Sequence, residues 1–254
     1  MSATAAQPTV FELQNISVDF GGAAGPVLRD LNLHVPAGQF ITIVGPSGCG
    51  KSTLLRLLAG LQQPSAGHIA RQNSDGSAPG FVFQQPALLP WRTVLQNLRL
   101  PCELGRSQMR QNPAEDQLLD LLGQVGLNRS DVDKRPAELS GGIQMRLSLA
   151  RALVRQPQVL LLDEPFAAVD DLLRMKLQEL VRELHDRRGL TTILVTHNLQ
   201  EAAFLSDRVL VLQPAPAGFT ADISIHTADR DQNWRVSDQV TVIQQKLTKA
   251  LISS

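Results

Sequence analysis

Along the first part of the chain apolar and polar residues trade places. "FELQNISVDF", "LNLHV" and "FITIV" each alternate, the pattern of strands with one face on a core, and the turn-rich stretches "GGAAGP" and "PAGQ" separate them. The period then changes. "FITIV", residues 40–44, feeds a glycine loop, and "STLLRLLAG" continues at helical spacing to Gly60. After "QQPSAGHIARQNSDGSAPG", rich in turn formers, a short strand "FVFQ" leads into "QPALLPWRT" and a helix-rich stretch. There "NPAEDQLLDLLGQVGL" predicts a helix with Asn112 as N-cap, Pro113 in the first turn, Glu115 placed for a capping box and Gly126 near the C-cap. Leu118, Leu122 and Val125 share its apolar face.

Downstream, "VLLLDEP" and "TTILVTHN" are unbroken apolar runs of the kind buried on both faces of a parallel sheet, and residues 170–188 between them read as a helix closed by Gly189. Strand, helix, strand in this order predicts an α/β core with right-handed crossovers. "FTADISIH", residues 219–226, alternates as one more strand. In the tail, Val236, Val240, Ile243, Leu247 and Leu251 form a helical stripe expected to pack on the core.

Composition narrows the partners. A chain of 254 residues, 43% hydrophobic, buries a substantial core. Lys plus Arg and Asp plus Glu both number 24, so no overall basic field favours nucleic acid or anionic lipid, and any phosphate recognition is local. Two cysteines, Cys49 and Cys102, are too few for a disulfide framework, which points to a reducing cytosol. "MSATAAQPTVFEL" lacks the layout of a secretory signal, and no apolar run approaches the roughly 18 residues that span a bilayer.

The chemistry is concentrated in short motifs. "GPSGCGKS" satisfies G-x-x-x-x-G-K-[ST] between a strand and a helix, the context that motif requires. Gly45, Gly48 and Gly50 let backbone N–H groups curl around phosphate oxygens, and the helix start adds its positive dipole end. Lys51 is expected to reach the β- and γ-phosphates and Ser52 to ligate Mg²⁺. The whole run from Gly45 through Pro46, Ser47, Gly48, Cys49, Gly50, Lys51 and Ser52 to Thr53 is the candidate nucleotide cradle, with Cys49 contributing only its backbone.

Asp163 and Glu164 end a buried strand, where carboxylates are costly unless paired or bound to metal. Asp163 fits a carboxylate that holds Mg²⁺ through water, and Glu164 fits a base for the attacking water; two acids that merely cap the next turn are the plainer reading. His197, at the end of "ILVTH", stands where a γ-phosphate sensor would, although a strand-end histidine is often structural. A second candidate anion site, Ser140, Gly141 and Gly142 in "LSGGIQMR", lies at a helix start.

These residues together resemble the ATP-binding subunit of ABC transporters over nearly the whole chain. "GPSGCGKST" is similar to Walker A, "LSGGIQMRLSLARAL" to the signature motif and its helix, "VLLLDEP" to Walker B and "VTH" to the switch histidine. The resemblance implies a P-loop NTPase core, α/β with a mainly parallel sheet, an N-terminal antiparallel β-subdomain and an inserted helical subdomain. It implies a disordered segment at 1–8, an ATPase domain at 9–213 with the helical insert near 88–157, and a strand–helix extension at 214–254.

It further implies that Gln84 senses Mg²⁺ and the γ-phosphate, that Asp170 of "AAVD" belongs to a loop communicating across a dimer, and that Phe20 stacks on adenine. Ser140, Gly141 and Gly142 would approach the nucleotide of the opposite subunit. The implied cofactors are ATP and Mg²⁺. The implied partners are a second copy, transmembrane permease subunits and, indirectly, a solute-binding protein, with no nucleic acid, at the cytoplasmic face of the membrane. "FVFQQPALLPWRTVLQNL", "DEPFAAVD" and "VTHNLQEAAFLSDRVLVL" are similar to importer ATPases of the nitrate, sulfonate and taurine type, in which "LLPW" lies where the family meets its permease. Ile143, Val169 and Asn198 depart from the common glutamine, leucine and aspartate, and the segment between Gly67 and Gln84 is short for the family. A soluble ABC ATPase acting on ribosomes or nucleic acid is the alternative reading.

Overall fold

The computed structural model of the chain describes residues 8–21, 25–72, 77–104, 113–167, 169–214, 218–227 and 230–252. The expected N-cap Asn112 and the turn within residues 73–76 lie outside them. The chain divides into two compact units, one built from residues 1–77 and 188–254 and the other from 78–187.

In the first unit, β1 (Thr9–Val18) is the middle strand of an antiparallel sheet, with β2 (Leu28–Pro36) on one side and β4 (Ala66–Arg71) on the other. Its expected alternation holds only in two halves: Phe11 and Leu13, then Ile16 and Val18, are buried, and the phase slips between them at Gln14–Asn15, where the register with β2 shifts and Asn15 takes φ +51°. The second sheet of this unit centres on β3 (Phe40–Val44), which pairs in parallel with β7 (Thr191–Thr196) and β8 (Arg208–Leu212). β9 (Phe219–Ser224) adds antiparallel to β8.

One expectation needs correcting here. "FITIV" looked alternating, yet all five residues of β3 are buried, because the strand has a neighbour on each side and a helix packed against it. The polar Thr42 is accommodated because its hydroxyl is hydrogen-bonded to that of Ser206.

Helix α1 (Lys51–Leu58) follows β3 directly, and Gly60 beyond it takes the left-handed conformation, φ +70°, of a helix terminator.

In the second unit, β5 (Gly80–Val82) pairs in parallel with β6 (Val159–Asp163). Four helices accompany them: α2 (Val94–Leu104), α3 (Glu115–Gln124), α4 (Gly141–Leu153) and α5 (Asp171–Arg188). The start of α3 differs from expectation: Gln117, not Glu115, provides the reciprocal bond, its Oε1 accepting from Ala114 N–H at 3.0 Å. The helix begins two residues later than Asn112 implied, so Gln117 occupies the third helical position. α2 has a complete capping box of its own. Thr93 N–H donates to Gln96 Oε1 at 3.0 Å, and Gln96 N–H donates back to Thr93 Oγ1 at 3.3 Å.

Returning to the first unit, α6 (Leu199–Leu205) links β7 to β8, and the tail forms α7 (Gln232–Arg235) and α8 (Asp238–Ile252). The predicted apolar stripe is only partly correct: Val240 and Leu247 are buried, but Val236 is 82% exposed. Val236 sits between the two helices, so a single helical period drawn from 236 to 251 crosses a break.

Candidate functional site

The register of the first unit decides what its loops can do together. Val44, the last residue of β3, lies opposite Thr196, the last residue of β7. The glycine loop and His197 therefore leave the carboxyl ends of adjacent parallel strands at the same level, where open α/β sheets take up ligands. Within the loop, Lys51 is 5% exposed, and its Nζ donates to Gly45 O at 2.8 Å and Pro46 O at 2.9 Å. Those carbonyls hold the ammonium inside the curve of the loop. Gly50 is the N-cap of α1 with φ +101°, and a Cβ there would press on the side chains of Leu28 and Val27. Only glycine meets both demands, and it leaves the first turn of α1 without a side-chain cap. Cys49 is buried while Pro46, Ser47 and Gly48 are exposed; Ser52 and Thr53 are half-buried.

His197 is exposed, and what surrounds it is a small bonded frame. Thr196 Oγ1 donates to the buried Glu201 Oε2 at 2.6 Å and accepts from Asn198 N–H at 3.0 Å. Asn198 Oδ1 accepts from Gln200 N–H at 2.9 Å and Glu201 N–H at 3.2 Å, capping α6. The asparagine that departs from the family pattern thus supplies the cap an aspartate would. Phe20, just past β1, is 65% exposed, so it is no core residue.

In the second unit, Asp163 ends β6 and is 8% exposed, while the next residue, Glu164, is half-buried with φ +45°. A left-handed glutamate ahead of Pro165 is strained by about 1–3 kcal/mol, the kind of cost that clusters at functional sites. Gln84 is exposed, directly after the tilted Phe81–Phe83 ring pair at 4.4 Å. Asp170 Oδ1 accepts from Leu173 N–H at 3.0 Å, the bond of a helix cap on α5. Arg174 gathers the same loop by donating to Phe166 O at 3.3 Å and Val169 O at 2.9 Å.

The signature segment is built as a capped helix start. Ser140 Oγ accepts from Ile143 N–H at 3.4 Å; Ser140 and Gly141 are exposed. Gly142 is buried, and any Cβ on it would overlap the Leu173 side chain of α5. Behind this start, α4 acts as a strut. Gln144 Nε2 donates to Pro136 O at 3.0 Å and Leu139 O at 3.2 Å, and Arg146 Nη1 donates to Val125 O at 3.0 Å at the end of α3.

Two residues of this unit were not singled out by sequence reasoning. Arg151 donates to Ala87 O at 2.9 Å and Pro86 O at 3.0 Å, gripping the segment after Gln84; burial pushes its guanidinium pKa down from the ordinary value, and the two carbonyls offset part of that lost hydration. Asn97, fully buried, accepts from Leu89 N–H at 2.8 Å, and its two Nδ2 hydrogens are shared among Leu89 O at 3.1 Å, Arg92 O at 3.1 Å and Thr93 O at 3.0 Å. The loop it closes presents Trp91 at 67% exposure, which rules out simple packing of that ring within this chain. An Asn directly after the capping-box residue Gln96 was the available signal for this knot.

The family profile described as ABC transporter matches residues 28–167, from β2 through the Walker B acids. The chain belongs to the ABC transporter family. It is 48% identical over 216 residues to the aliphatic sulfonates import ATP-binding protein SsuB of Rhodopseudomonas palustris (strain BisA53), covering 84% of this chain and 74% of that protein. It is 44% identical over 204 residues to the nitrate import ATP-binding protein NrtC of Synechococcus elongatus, covering 78% of this chain but 30% of that longer protein. Among solved structures, a dimeric post-hydrolysis state of the ATP-binding cassette MJ0796 bound to ADP and Pi matches with TM-score 0.73 and 28% identity, over 85% of this chain and 99% of that one. The P-loop NTPase fold expected of an ABC cassette is thereby shown for this chain.

Proposed function

We propose that this chain is the ATP-binding and ATP-hydrolysing subunit of an ABC importer. It works as a nucleotide-sandwich dimer at the cytoplasmic face of the membrane, beneath permease subunits. The observation that carries the reading is the strand register that sets the lysine-filled glycine loop beside the braced His197. Among the described residues no helix is long and apolar enough to cross a membrane, so permease subunits would supply the pathway. The imported solute is proposed to be of the nitrate, sulfonate or taurine type, the first two being named in the relatives above, and a solute-binding protein would select it.

In this reading Lys51 exchanges its two loop carbonyls for the β- and γ-phosphates, the N–H groups of residues 45–53 cradle the phosphates, and Phe20 stacks on the adenine. Glu164 orients and deprotonates the attacking water, and His197 contacts the γ-phosphate. Ser140 and Gly141, with the backbone of Gly142, close the site from the opposite subunit, and Asp170 communicates across the same interface. Catalysis is positioning plus charge neutralisation of an in-line displacement.

Ser52, Gln84 and the buried Asp163 offer a hydroxyl, an amide oxygen and a carboxylate, a hard oxygen donor set that fits Mg²⁺ arriving with substrate phosphates. Bound there, the ion would neutralise charge on the β- and γ-phosphates. Asp163 would hold it through water.

The test is twofold. Purified protein should hydrolyse ATP in the presence of Mg²⁺, and a tagged copy should bring down hydrophobic permeases from detergent-solubilised membranes. Recovery of ribosomes or nucleic acid in place of permeases would overturn the importer assignment.

A further inference from the structure

The C-terminal extension, α7 with α8, has no part in the chemistry above, yet two of its arginines are spent on one short helix. Arg235 is 8% exposed, and its guanidinium lies 3.6 Å from the centroid of the Phe204 ring in α6. Arg230 donates to Phe204 O at 3.0 Å and to Asp207 Oδ1 at 3.0 Å. Asp207 in turn accepts from Phe40 N–H through Oδ2 at 2.8 Å and donates its own N–H to Phe40 O at 2.8 Å, which ties the joint to the start of β3. The indole of Trp234 is buried beside Arg230, and α8 packs along α6 through its buried face.

These contacts fall on the carboxyl end of α6. Its amino end carries the frame around His197: the Asn198 cap, and the buried Glu201 that accepts from Thr196 Oγ1. α6 has only seven residues, Leu199–Leu205, so it moves as one rigid piece between the two ends. α6 also packs on β3 and β7, and the tail adds its hold at the carboxyl end; loosening that end would let α6 rock and carry Glu201 away from Thr196, and the histidine backbone with it.

We infer that the C-terminal extension is a brace for the switch histidine, with Arg235 and Arg230 as positioning residues that act on His197 through α6. This rests on the proposed role of His197 in ATP hydrolysis, and it gives the extension a task in the same reaction. A cation over an aromatic face resists separation more when desolvated, as Arg235 is here.

The experiment uses the full chain and single-turnover phosphate release, with fluorescent ATP-analogue binding measured beside it. Arg235→Met should lower the hydrolysis rate roughly tenfold, short of the hundredfold that a 1 Å misplacement can cost, with nucleotide affinity changed by less than about twofold. Arg235→Lys, which keeps a cation over the ring, should recover most of the rate. In a His197→Ala background, Arg235→Met should slow the reaction by less than about twofold more, because residues that act as a unit are not additive.

Equal fractional losses in both backgrounds would show a general structural role and overturn the brace. So would a normal rate for Arg235→Met beside a slow His197→Ala, which leaves the histidine's role intact. His197→Ala at the parent rate would instead strike the proposed role of the histidine, and the brace would fall with it. If Arg235→Met is insoluble, Phe204→Leu removes the ring, keeps an apolar side chain and is read by the same criteria.

Discussion

Asn97→Ala isolates the knot that holds the Trp91 loop. The substitution deletes the bond from Leu89 N–H to Oδ1 and the two Nδ2 hydrogens that are shared among the carbonyls of Leu89, Arg92 and Thr93. At about 1 kcal/mol net for each of these three hydrogen-bonding groups, the gross loss is about 3 kcal/mol. Alanine returns roughly 0.6 kcal/mol through its better helix propensity within α2. The capping box of Thr93 and Gln96 and the bonds from Val94 N–H to Lys134 O and Leu95 N–H to Val132 O survive, so the helix itself stays. A net destabilisation of about 2 kcal/mol remains, which for a chain of this size lowers Tm by roughly 4–8 °C. Asn97→Asp should be worse than alanine, since a carboxylate would face three carbonyl oxygens with no hydrogen to donate. Thermal unfolding by circular dichroism reads both variants. A shift below about 2 °C for Asn97→Ala, or an aspartate variant as stable as the parent, would refute the idea that this amide organises the loop.

Glu164→Gln should retain ATP binding, accumulate an ATP-bound dimer on size exclusion and nearly abolish turnover; hydrolysis at the parent rate would remove Glu164 from its assigned role. Lys51→Ala should weaken nucleotide binding in a titration, and undiminished affinity would count against the phosphate contact. Asp131 has its pKa lowered below the ordinary carboxylate value, first by the hydrogen bond from Lys134 and then by that from Asn128 N–H. The stability it contributes is full above its unfolded pKa of about 3.9 and is lost as pH falls through the lower folded value. The stability gap between parent and Asp131→Asn should therefore be wide at neutral pH and close in acid, and a gap independent of pH would contradict this. Ile143→Gln should change turnover only modestly, because Ser140 and the backbone N–H groups form the helix start; a gain of about a hundredfold would show that a side-chain donor was missing.

Much of the candidate site is legible in the sequence, and for a common physical reason. The glycine loop, Lys51 and Ser52 lie within nine consecutive residues, and their chemistry needs only a strand before and a helix after. The acid that ends β6, followed at once by Glu164, announces itself because a carboxylate closing a buried apolar run is costly without a task, and a polar histidine directly after the apolar run of β7 marks a strand end. Helix terminators at Gly60, Gly126 and Gly189 all took positive φ as their local sequence demanded.

What escaped sequence reasoning depends on partners far along the chain or on an exact register. The Asn97 knot is local, but nothing in the pattern says that its amide turns inward. Arg151 finds the Pro86 carbonyl 65 residues upstream, and Thr42 finds Ser206 164 residues away, so neither contact leaves a mark in hydrophobic periodicity. The tail misled for a related reason: its apolar spacing suggested one stripe, whereas a break at Val236 leaves that side chain in solvent. The chain by itself determined which residues are candidates to bind phosphate and activate water and which bury a core, because those properties belong to side chains and short spacings. Only the tertiary structure decided that the strand carrying His197 ends level with the glycine loop and that the tail grips the helix behind it, because register and long-range contact exist only once separate segments pack together.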